Sequence, residues 1–221
     1  MDIQTLLDQD FNNKTKASIF NCINIATKAF AQFKIENREF FNYPPKLKTL
    51  NGYLLTYAVE RQLYNSSLTP TSDFSIITKD VNEYKYQATF LRTDNFICNI
   101  GRTKEGYSLL PKSKYRQEYA KINSDVTGKQ LILEPLRDTV TLEPKLSYYY
   151  AQISYLYLSE YDKLTHLDIV VPNKDYSSSL YHVNLLGNTK SYAEYINPQL
   201  EEEEIVTLKN TLKSEIKNLA Q

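Results

Sequence analysis

Residues 146–172 read LSYYYAQISYLYLSEYDKLTHLDIVVP, and this stretch decides the fold. Tyr, Ile, Val and Thr favour pleated, half-buried backbone, and the stretch is dense in them. The pattern predicts two long antiparallel strands joined by a two-residue turn at Asp162 and Lys163. Asp-Lys lacks the glycine that a tight primed turn prefers, so a loop that is one or two residues longer also fits.

The predicted turn fixes which residues of the two strands face each other. Leu158 would face Leu167, and Leu156 would face Ile169. Because side chains alternate between the faces of a sheet, this register gathers the aliphatic residues on one side. The predicted core face comprises Leu156, Leu158, Leu167, Ile169 and Val171, and the predicted polar outer face comprises Tyr155, Tyr157, Ser159, His166, Asp168 and Val170.

A helical interpretation of the first arm stays open, because Leu146, Tyr149, Ile153 and Leu156 also fit helical spacing. The run of tyrosines and the alternating aliphatic residues of the second arm favour the strand. Pro172 then ends the second arm, since proline has no N–H to donate to a strand ladder.

The first 66 residues have helical periodicity. Ser18 is expected to cap a first helix, and a second helix is expected over about 46–64, with Leu54, Tyr57, Ala58 and Arg61 marking one face. Pro44 and Pro45 separate the two helices. The polar segment NSSLTPTSD at 65–73 is the best candidate for a linker.

Beyond the linker the periodicity changes from helical to alternating, which predicts strands. Strands are expected near 74–78, 84–92, 95–101, 107–110, 131–133 and 180–186, with turns at 93–95, 101–106 and 124–128 and a short helix at 112–122.

The C-terminal segment predicts an amphipathic helix that begins with Asn197 as N-cap and Pro198 as the first helical residue. Its acidic residues lie near the start and its lysines near the end, as the helix dipole favours. This helix either docks on its own domain or forms a homodimer. Its apolar stripe is Ile205, Leu208, Leu212, Ile216 and Leu219.

Together these elements predict the α+β class, with N-terminal helices packed on an antiparallel sheet of hairpins and closed by a C-terminal amphipathic helix. The predicted segments are helical residues 1–66, a β-rich core at 73–196 and the C-terminal helix at 197–221, which also fit one domain.

The composition restricts partners and compartment. The chain has 26 basic and 26 acidic residues, so it has no overall basic field for nucleic acid or anionic membranes. Cys22 and Cys98 are expected to be small buried residues. No segment has the length and apolarity of a secretory signal or a membrane span. We expect a cytoplasmic protein without membrane contacts, and the abundant Asn, Lys, Ile and Tyr suggest a low-GC bacterium or its phage.

Common catalytic and cofactor-binding motifs are absent from the sequence. It contains no GxxxxGK[ST], GxGxxG, HExxH or GxSxG motif and no Cys/His cluster, so no cofactor is expected. Ser159, His166 and Asp168 share the predicted outer face and would suit nucleophilic chemistry. A hydrogen-bonded polar face is the simpler interpretation of these three residues.

A basic, tyrosine-containing stretch at 102–121 is the clearest candidate for a binding surface. Lys and Arg neutralise phosphates, and Tyr rings stack on unpaired bases. A solvated surface helix is the alternative. The candidate nucleic-acid-binding residues are Arg92, Arg102, Lys104, Lys112, Lys114, Tyr115, Arg116 and Lys121.

An alternative function is a metal-dependent nuclease of the phage-defence or toxin kind. Glu60 on a predicted helix, Asp94 in a predicted hairpin and Glu134 loosely resemble the acidic set of restriction-type nuclease cores, which implies Mg²⁺. Pro135 and Leu136 follow Glu134, so the lysine of the E-x-K motif is missing. The leading hypothesis is a non-enzymatic regulatory or interaction protein that contacts nucleic acid or a protein partner.

Overall fold

The computed structural model of the chain describes residues 2–41, 47–82, 85–124, 148–158 and 162–219. The helices are α1 (Ile3–Asp10), α2 (Asn13–Glu36), α3 (Arg38–Phe41), α4 (Leu47–Ser67), α5 (Lys114–Ala120), α6 (Thr189–Tyr192) and α7 (Pro198–Leu219). Short 3₁₀ turns cover Lys121–Ser124, Leu186–Asn188 and Ala193–Tyr195. The strands are β1 (Ser75–Asp80), β2 (Gln87–Arg92), β3 (Phe96–Arg102), β4 (Tyr149–Leu158), β5 (Lys163–Pro172) and β6 (Ser179–Asn184).

The described strands form one six-stranded sheet in the order β1-β2-β3-β4-β5-β6, so neighbours in sequence are neighbours in the sheet. Strand β2 pairs antiparallel with both β1 and β3, and Phe90 faces Ile77 on one side and Asn99 on the other. Helices precede this mostly antiparallel sheet and a long helix follows it, which confirms the predicted α+β class.

The chain forms two compact units, each assembled from segments that are separate in sequence. Strands β4 and β5 contribute residues to both units, and the predicted division at 66–73 and 196–197 stays a prediction. Unit 1 comprises Met1–Asn12, Asp73–Ser154 and Asp168–Val183, and unit 2 comprises Asn13–Ser72, Tyr155–Leu167 and Asn184–Gln221.

The strand interpretation of the deciding stretch is confirmed over β4 and β5, but the predicted turn and register are wrong. Strand β4 ends at Leu158, and β5 already begins at Lys163, which was predicted to lie in the turn, so the two-residue turn is wrong and the longer-loop alternative remains. The Thr165 hydroxyl donates to the Leu156 carbonyl at 3.3 Å, which places Thr165 beside Leu156. Ile169 lies four residues further along β5, about 13 Å away at the rise of a strand, so it is not the partner of Leu156.

The predicted polar outer face of these strands is also wrong. Tyr155 and Asp168 are 0% and 1% exposed, as buried as Leu167 and Ile169, whereas Leu156 is only half-buried. Because side chains alternate along a strand, burial of both sets means that both faces are covered in the middle of β4 and β5. Tyrosine permits this arrangement, since most of its side chain is an apolar ring.

In unit 1, helix α5 packs on the sheet face that carries Phe90 and Tyr150. The Tyr119 ring lies 5.3 Å from Phe90 and stacks on Tyr150 at 5.4 Å, measured between ring centroids. Aromatic rings bury large areas, so these contacts hold the helix on the sheet. The buried cluster comprises Ala88, Phe90, Ile97, Ala120, Tyr150 and Tyr176.

Asn123, in the 3₁₀ turn after α5, joins that turn to both central strands. Its amide Nδ2 donates to the carbonyls of Tyr150 and Pro172 at 2.8 and 2.9 Å. Its Oδ1 accepts from the Tyr150 backbone N–H at 3.0 Å. The buried Asn123 side chain thus satisfies three backbone groups that water does not reach.

Gln152 has a similar role on β4. Its Nε2 donates to the Tyr150 and Tyr176 hydroxyls, and its Oε1 accepts from the Leu110 N–H at 3.1 Å. The Tyr176 hydroxyl in turn donates to the Leu110 carbonyl at 3.0 Å. One glutamine therefore connects β4 with the loop before α5 and with the loop between β5 and β6.

Helix α1 is attached to the turn between β2 and β3. The Asp10 carboxylate accepts from the Thr93 hydroxyl at 2.6 Å and from the backbone and side-chain amides of Asn95 at 2.7 and 2.8 Å. The rings of Phe11 and Phe96 lie 5.7 Å apart just below. Hydrogen bonds to a charged acceptor are stronger than neutral ones, so Asp10 fixes this turn.

In unit 2, helix α2 contacts both α4 and α7. The described part of the predicted C-terminal stripe includes Leu208 and Leu212, which are buried in this unit, so the docking prediction for the helix is confirmed. Asn197 accepts from the Gln199 N–H at 3.1 Å, which confirms the predicted N-cap. Polar contacts flank the stripe, and they are Lys28–Glu201, Lys209–Glu36, Gln62–Glu204 and Tyr53–Glu215.

Several local expectations change. Ser18 lies inside α2, which begins at Asn13, and residues 107–110 form no strand. The predicted face of α4 mixed two sides, since Leu54 and Ala58 are buried but Arg61 is exposed. The proline pair at 44–45, the turn at 124–128 beyond residue 124 and the strand at 131–133 lie outside the described residues.

Both cysteines are buried free thiols, as expected, and burial raises the pKa of Cys22 to about 12. Within the described ranges, no helix combines the length and apolarity that a membrane crossing requires.

Replacement of Asn123 by alanine should destabilise the protein by about 2 to 4 kcal/mol, because three backbone groups lose a buried partner. Urea unfolding followed by circular dichroism measures the change. Asn210→Ala, at an exposed position of α7, is the control and should change the free energy of unfolding by less than about 0.5 kcal/mol. Equal effects of the two substitutions would contradict the role assigned to Asn123.

Candidate nucleic-acid interface

Most of the predicted nucleic-acid-binding residues lie on one connection of unit 1 and on the strand ends beside it. Arg102 ends β3, Lys104 and Lys112 lie in the loop that follows, and Lys114 is the first residue of α5. Arg92 ends β2. All five side chains are exposed, and among the described residues none of them pairs with a carboxylate.

Tyr115 and Arg116 are engaged in structural contacts. The Tyr115 hydroxyl and the Arg116 Nε both donate to Oδ1 of buried Asn99, at 3.1 and 2.7 Å. Arg116 also donates to the Pro111 carbonyl at 2.6 Å, and its guanidinium lies 5.2 Å from the Tyr115 ring centroid. These contacts fasten the start of α5 to β3 and to the preceding loop.

Burial decides which aromatic rings a ligand can reach. Tyr115 and Tyr119 pack on Phe90, and desolvation by the surrounding protein raises the pKa of both hydroxyls. Tyr107 is 65% exposed and Tyr86 is 62% exposed. Tyr107 lies in the same tight turn as Lys104, since its N–H donates to the Lys104 carbonyl at 3.0 Å. Exposed rings for stacking are therefore Tyr86 and Tyr107 rather than the predicted Tyr115.

Lys121 forms an ion pair with Glu118 at 2.8 Å, one turn earlier on the same surface. Both side chains are more than half exposed, so the pair contributes at most about 1 kcal/mol to stability. The positive charge of Lys121 is therefore largely compensated within the protein.

A cation that the sequence analysis missed, Lys79, lies on the same face of the sheet as Arg92. The register of β1 and β2 pairs Ser75 with Arg92 and Lys79 with Ala88, which places Lys79 and Arg92 on the same face of the sheet. The pKa of Lys79 is lowered, first because neighbouring atoms desolvate its ammonium and second because the Arg92 charge is close. Alternation in SIITKD predicts the face of Lys79, but only the pairing of two strands reveals its positive neighbour.

Asp168, predicted to lie with Ser159 and His166 in a nucleophilic set, instead pairs with a different histidine, His182. The buried Asp168 carboxylate bonds the Nε2 of His182 on β6, whose side chain is 45% exposed. Ser159 lies outside the described residues. The aspartate orients the imidazole at the sheet surface.

The three acidic candidates for a nuclease do not belong to one described unit. Glu60 lies on α4 in unit 2, Asp94 lies in the β2–β3 turn in unit 1, and Glu134 is outside the described residues. Among the described side chains, no group of three His, Cys, Asp or Glu residues could hold a metal ion.

Comparison with known proteins gives no further guide to function. No protein-family model, no curated protein and no solved structure matches this chain. Function is therefore inferred from the side chains themselves.

Replacement of Arg116 by alanine should cost about 1 to 3 kcal/mol of stability, because buried Asn99 loses a charged donor and Pro111 loses its partner. Chemical denaturation is the measurement. Lys114→Ala, two residues earlier on an exposed side chain, should stay within about 0.5 kcal/mol of the parent protein. A stable R116A protein would show that Arg116 is available for a ligand instead.

Proposed function

We propose that unit 1 binds the phosphate backbone of nucleic acid, and that the chain is a non-enzymatic regulatory or interaction protein. The observation that carries the proposal is that Lys79 and Arg92 lie on one face of the β1–β2 pair without an acidic partner among the described residues. Two cations on one face of a sheet repel each other, and a phosphate backbone that runs across that face would relieve the repulsion.

Lys79 is a better anion ligand than an ordinary surface lysine. Neighbouring atoms remove part of the hydration of its ammonium, which lowers its pKa. An anion that binds there therefore displaces less water and gains more from the charge. Arg92 adds a planar guanidinium that can bind a phosphate through two N–H groups.

Further cations extend the surface along the chain. Arg102, Lys104, Lys112 and Lys114 are exposed, and within the described part of the molecule none forms an ion pair. Tyr107, beside Lys104 in one turn, offers a ring on which an unpaired base can stack. Both features favour a nucleic acid over a small inorganic anion.

The proposed setting is the cytoplasm of a bacterium or a phage-infected cell. Cys22 and Cys98 are both free thiols, which fits a reducing compartment. The bacterial or phage origin rests on the abundance of Asn, Lys, Ile and Tyr codons, a composition typical of AT-rich genomes.

The double substitution Lys79→Glu/Arg92→Glu should weaken binding of labelled oligonucleotides of about 20 nucleotides and lower the slope of log affinity against log salt by about 1.5. Each lost phosphate contact removes the counterion release that it provides. Fluorescence anisotropy over a salt series, with single-stranded and duplex probes, measures both quantities.

Lys163→Glu/Lys190→Glu is the matched control, since it makes the same change of net charge at two exposed lysines of unit 2. Its salt slope should equal that of the parent protein. Absence of binding at low salt would refute the proposal, and a protein partner would then be the remaining hypothesis. An equal loss of binding in both double variants would show that the change of net charge alone causes the effect.

A further inference from the structure

One end of the first three strands of unit 1 carries two exposed tyrosines. Strands β1 and β3 both run antiparallel to β2, so their last residues lie at the same end of the sheet as the first residue of β2. Tyr86 directly precedes β2 and is 62% exposed, and Tyr107 lies in the tight turn after β3 and is 65% exposed. We call this end the tyrosine end, and its members are Lys79, Lys85, Tyr86, Arg102, Lys104 and Tyr107.

The two tyrosines are close enough for one short stretch of strand to reach both. Continued to the strand ends, the register of β2 and β3 places Gln87 opposite Arg102, and the next residues outward are Tyr86 and Thr103. The hydroxyl of buried Thr103 donates to the Tyr107 carbonyl at 2.8 Å. Opposite Cα atoms of antiparallel strands lie about 5 Å apart, and a hydrogen bond of this kind joins Cα atoms within about 8 Å. The Cα atoms of Tyr86 and Tyr107 therefore lie within about 13 Å of each other.

Backbone hydrogen bonds fix the positions from which both rings project. The Tyr86 N–H donates to the Asn82 side chain at 2.9 Å, and the Tyr86 carbonyl accepts from the Val81 N–H at 2.8 Å. The Tyr107 N–H donates to the Lys104 carbonyl at 3.0 Å. A segment that is already ordered loses little conformational entropy when a ligand binds, so both tyrosines are suited to contact one.

The charge around the two rings is positive on balance. Residues 79–80, 85–86 and 102–107 include four basic and two acidic side chains, all of them exposed. The basic ones are Lys79, Lys85, Arg102 and Lys104, and the acidic ones are Asp80 and Glu105. Lysine and arginine bind the phosphates of a single strand and of a duplex alike, so the charge favours nucleic acid but does not select one of its forms.

The exposed rings distinguish a single strand from a duplex. In a duplex the faces of each base are covered by neighbouring bases, and a base must leave the stack before it can contact an aromatic side chain. In a single strand the base faces are accessible, and stacking on tyrosine is favourable for every base. Two exposed rings among cations therefore favour unpaired nucleic acid.

We propose that the tyrosine end binds single-stranded nucleic acid, with one unpaired base stacked on Tyr86 and another base of the same strand stacked on Tyr107. This inference rests on the phosphate-backbone binding proposed above and names the form of nucleic acid that the surface takes. The cations of the tyrosine end hold the phosphates beside these two bases. The stacking contacts tolerate any sequence, since every base has a face that can stack.

Fluorescence anisotropy on the full chain tests the inference with a labelled DNA strand of about 16 nucleotides that does not pair with itself, and with the duplex of the same sequence. At low salt the parent protein should bind the single strand at least about tenfold more tightly than the duplex. This preference is measured without any substitution, so it does not depend on whether a variant folds.

Tyr86→Ala/Tyr107→Ala should weaken single-strand binding at least about thirtyfold, because each stacking contact contributes at least about fivefold. Its affinity for the duplex should change by less than about twofold. Because no phosphate contact is lost, the slope of log affinity against log salt should stay within about 0.5 of the parent slope.

Two further variants serve as controls. Tyr86→Phe/Tyr107→Phe keeps both rings and should bind the single strand within about threefold of the parent affinity. Tyr64→Ala/Tyr195→Ala removes two rings of unit 2 that are 43% and 47% exposed, and it should bind like the parent protein.

The two probes separate failure of this inference from failure of the proposed function. A duplex affinity equal to or above the single-strand affinity overturns the inference but leaves phosphate-backbone binding in place. So does an equal loss of both affinities in Y86A/Y107A. Absence of binding to either probe at low salt overturns the inference and the proposed function together.

Discussion

The structure depends on burying a tyrosine-rich pair of strands together with hydrogen-bond partners for their polar residues Tyr150, Gln152 and Asp168. Tyr150, Gln152, Ser154, Tyr155 and Asp168 lie in the middle of β4 and β5 and are almost fully buried. An unpaired polar group in such a position would cost about 1 to 3 kcal/mol, a large share of the stability of one domain. The Gln152 amide, the Asn123 amide and His182 supply partners, so these residues determine which loops and helices pack on the strands.

The sequence predicted those helices and strands that a short run of neighbouring residues specifies. The dense tyrosine and aliphatic residues gave β4 and β5, and the Asn197-Pro198 pair gave the start of α7. Which side of a strand is buried depends on what packs over it, and a tyrosine is compatible with either side. The predicted outer face was therefore wrong, and the register failed because β5 begins at Lys163, inside the predicted turn.

The candidate interface was predictable only in part, for the same reason. A run of basic residues can be read from one segment, but the partner of each side chain cannot. Arg116 belongs to the architecture because Asn99 comes from β3, whereas Lys79 belongs to the candidate surface because β2 brings Arg92 to its face. The predicted face of α4 combined Tyr57 and Arg61 with Leu54 and Ala58, and only the burial of the last two shows which side of the helix faces its unit.

Native-state hydrogen exchange tests the central claim, that the buried strands β4 and β5 are the last part of the fold to open. The amides of 151–157 and 167–171 should exchange slowest in the molecule, with an opening free energy equal to the global value from urea unfolding. Amides of these strands that open several kcal/mol below the global value, or more easily than those of α1, would contradict the account.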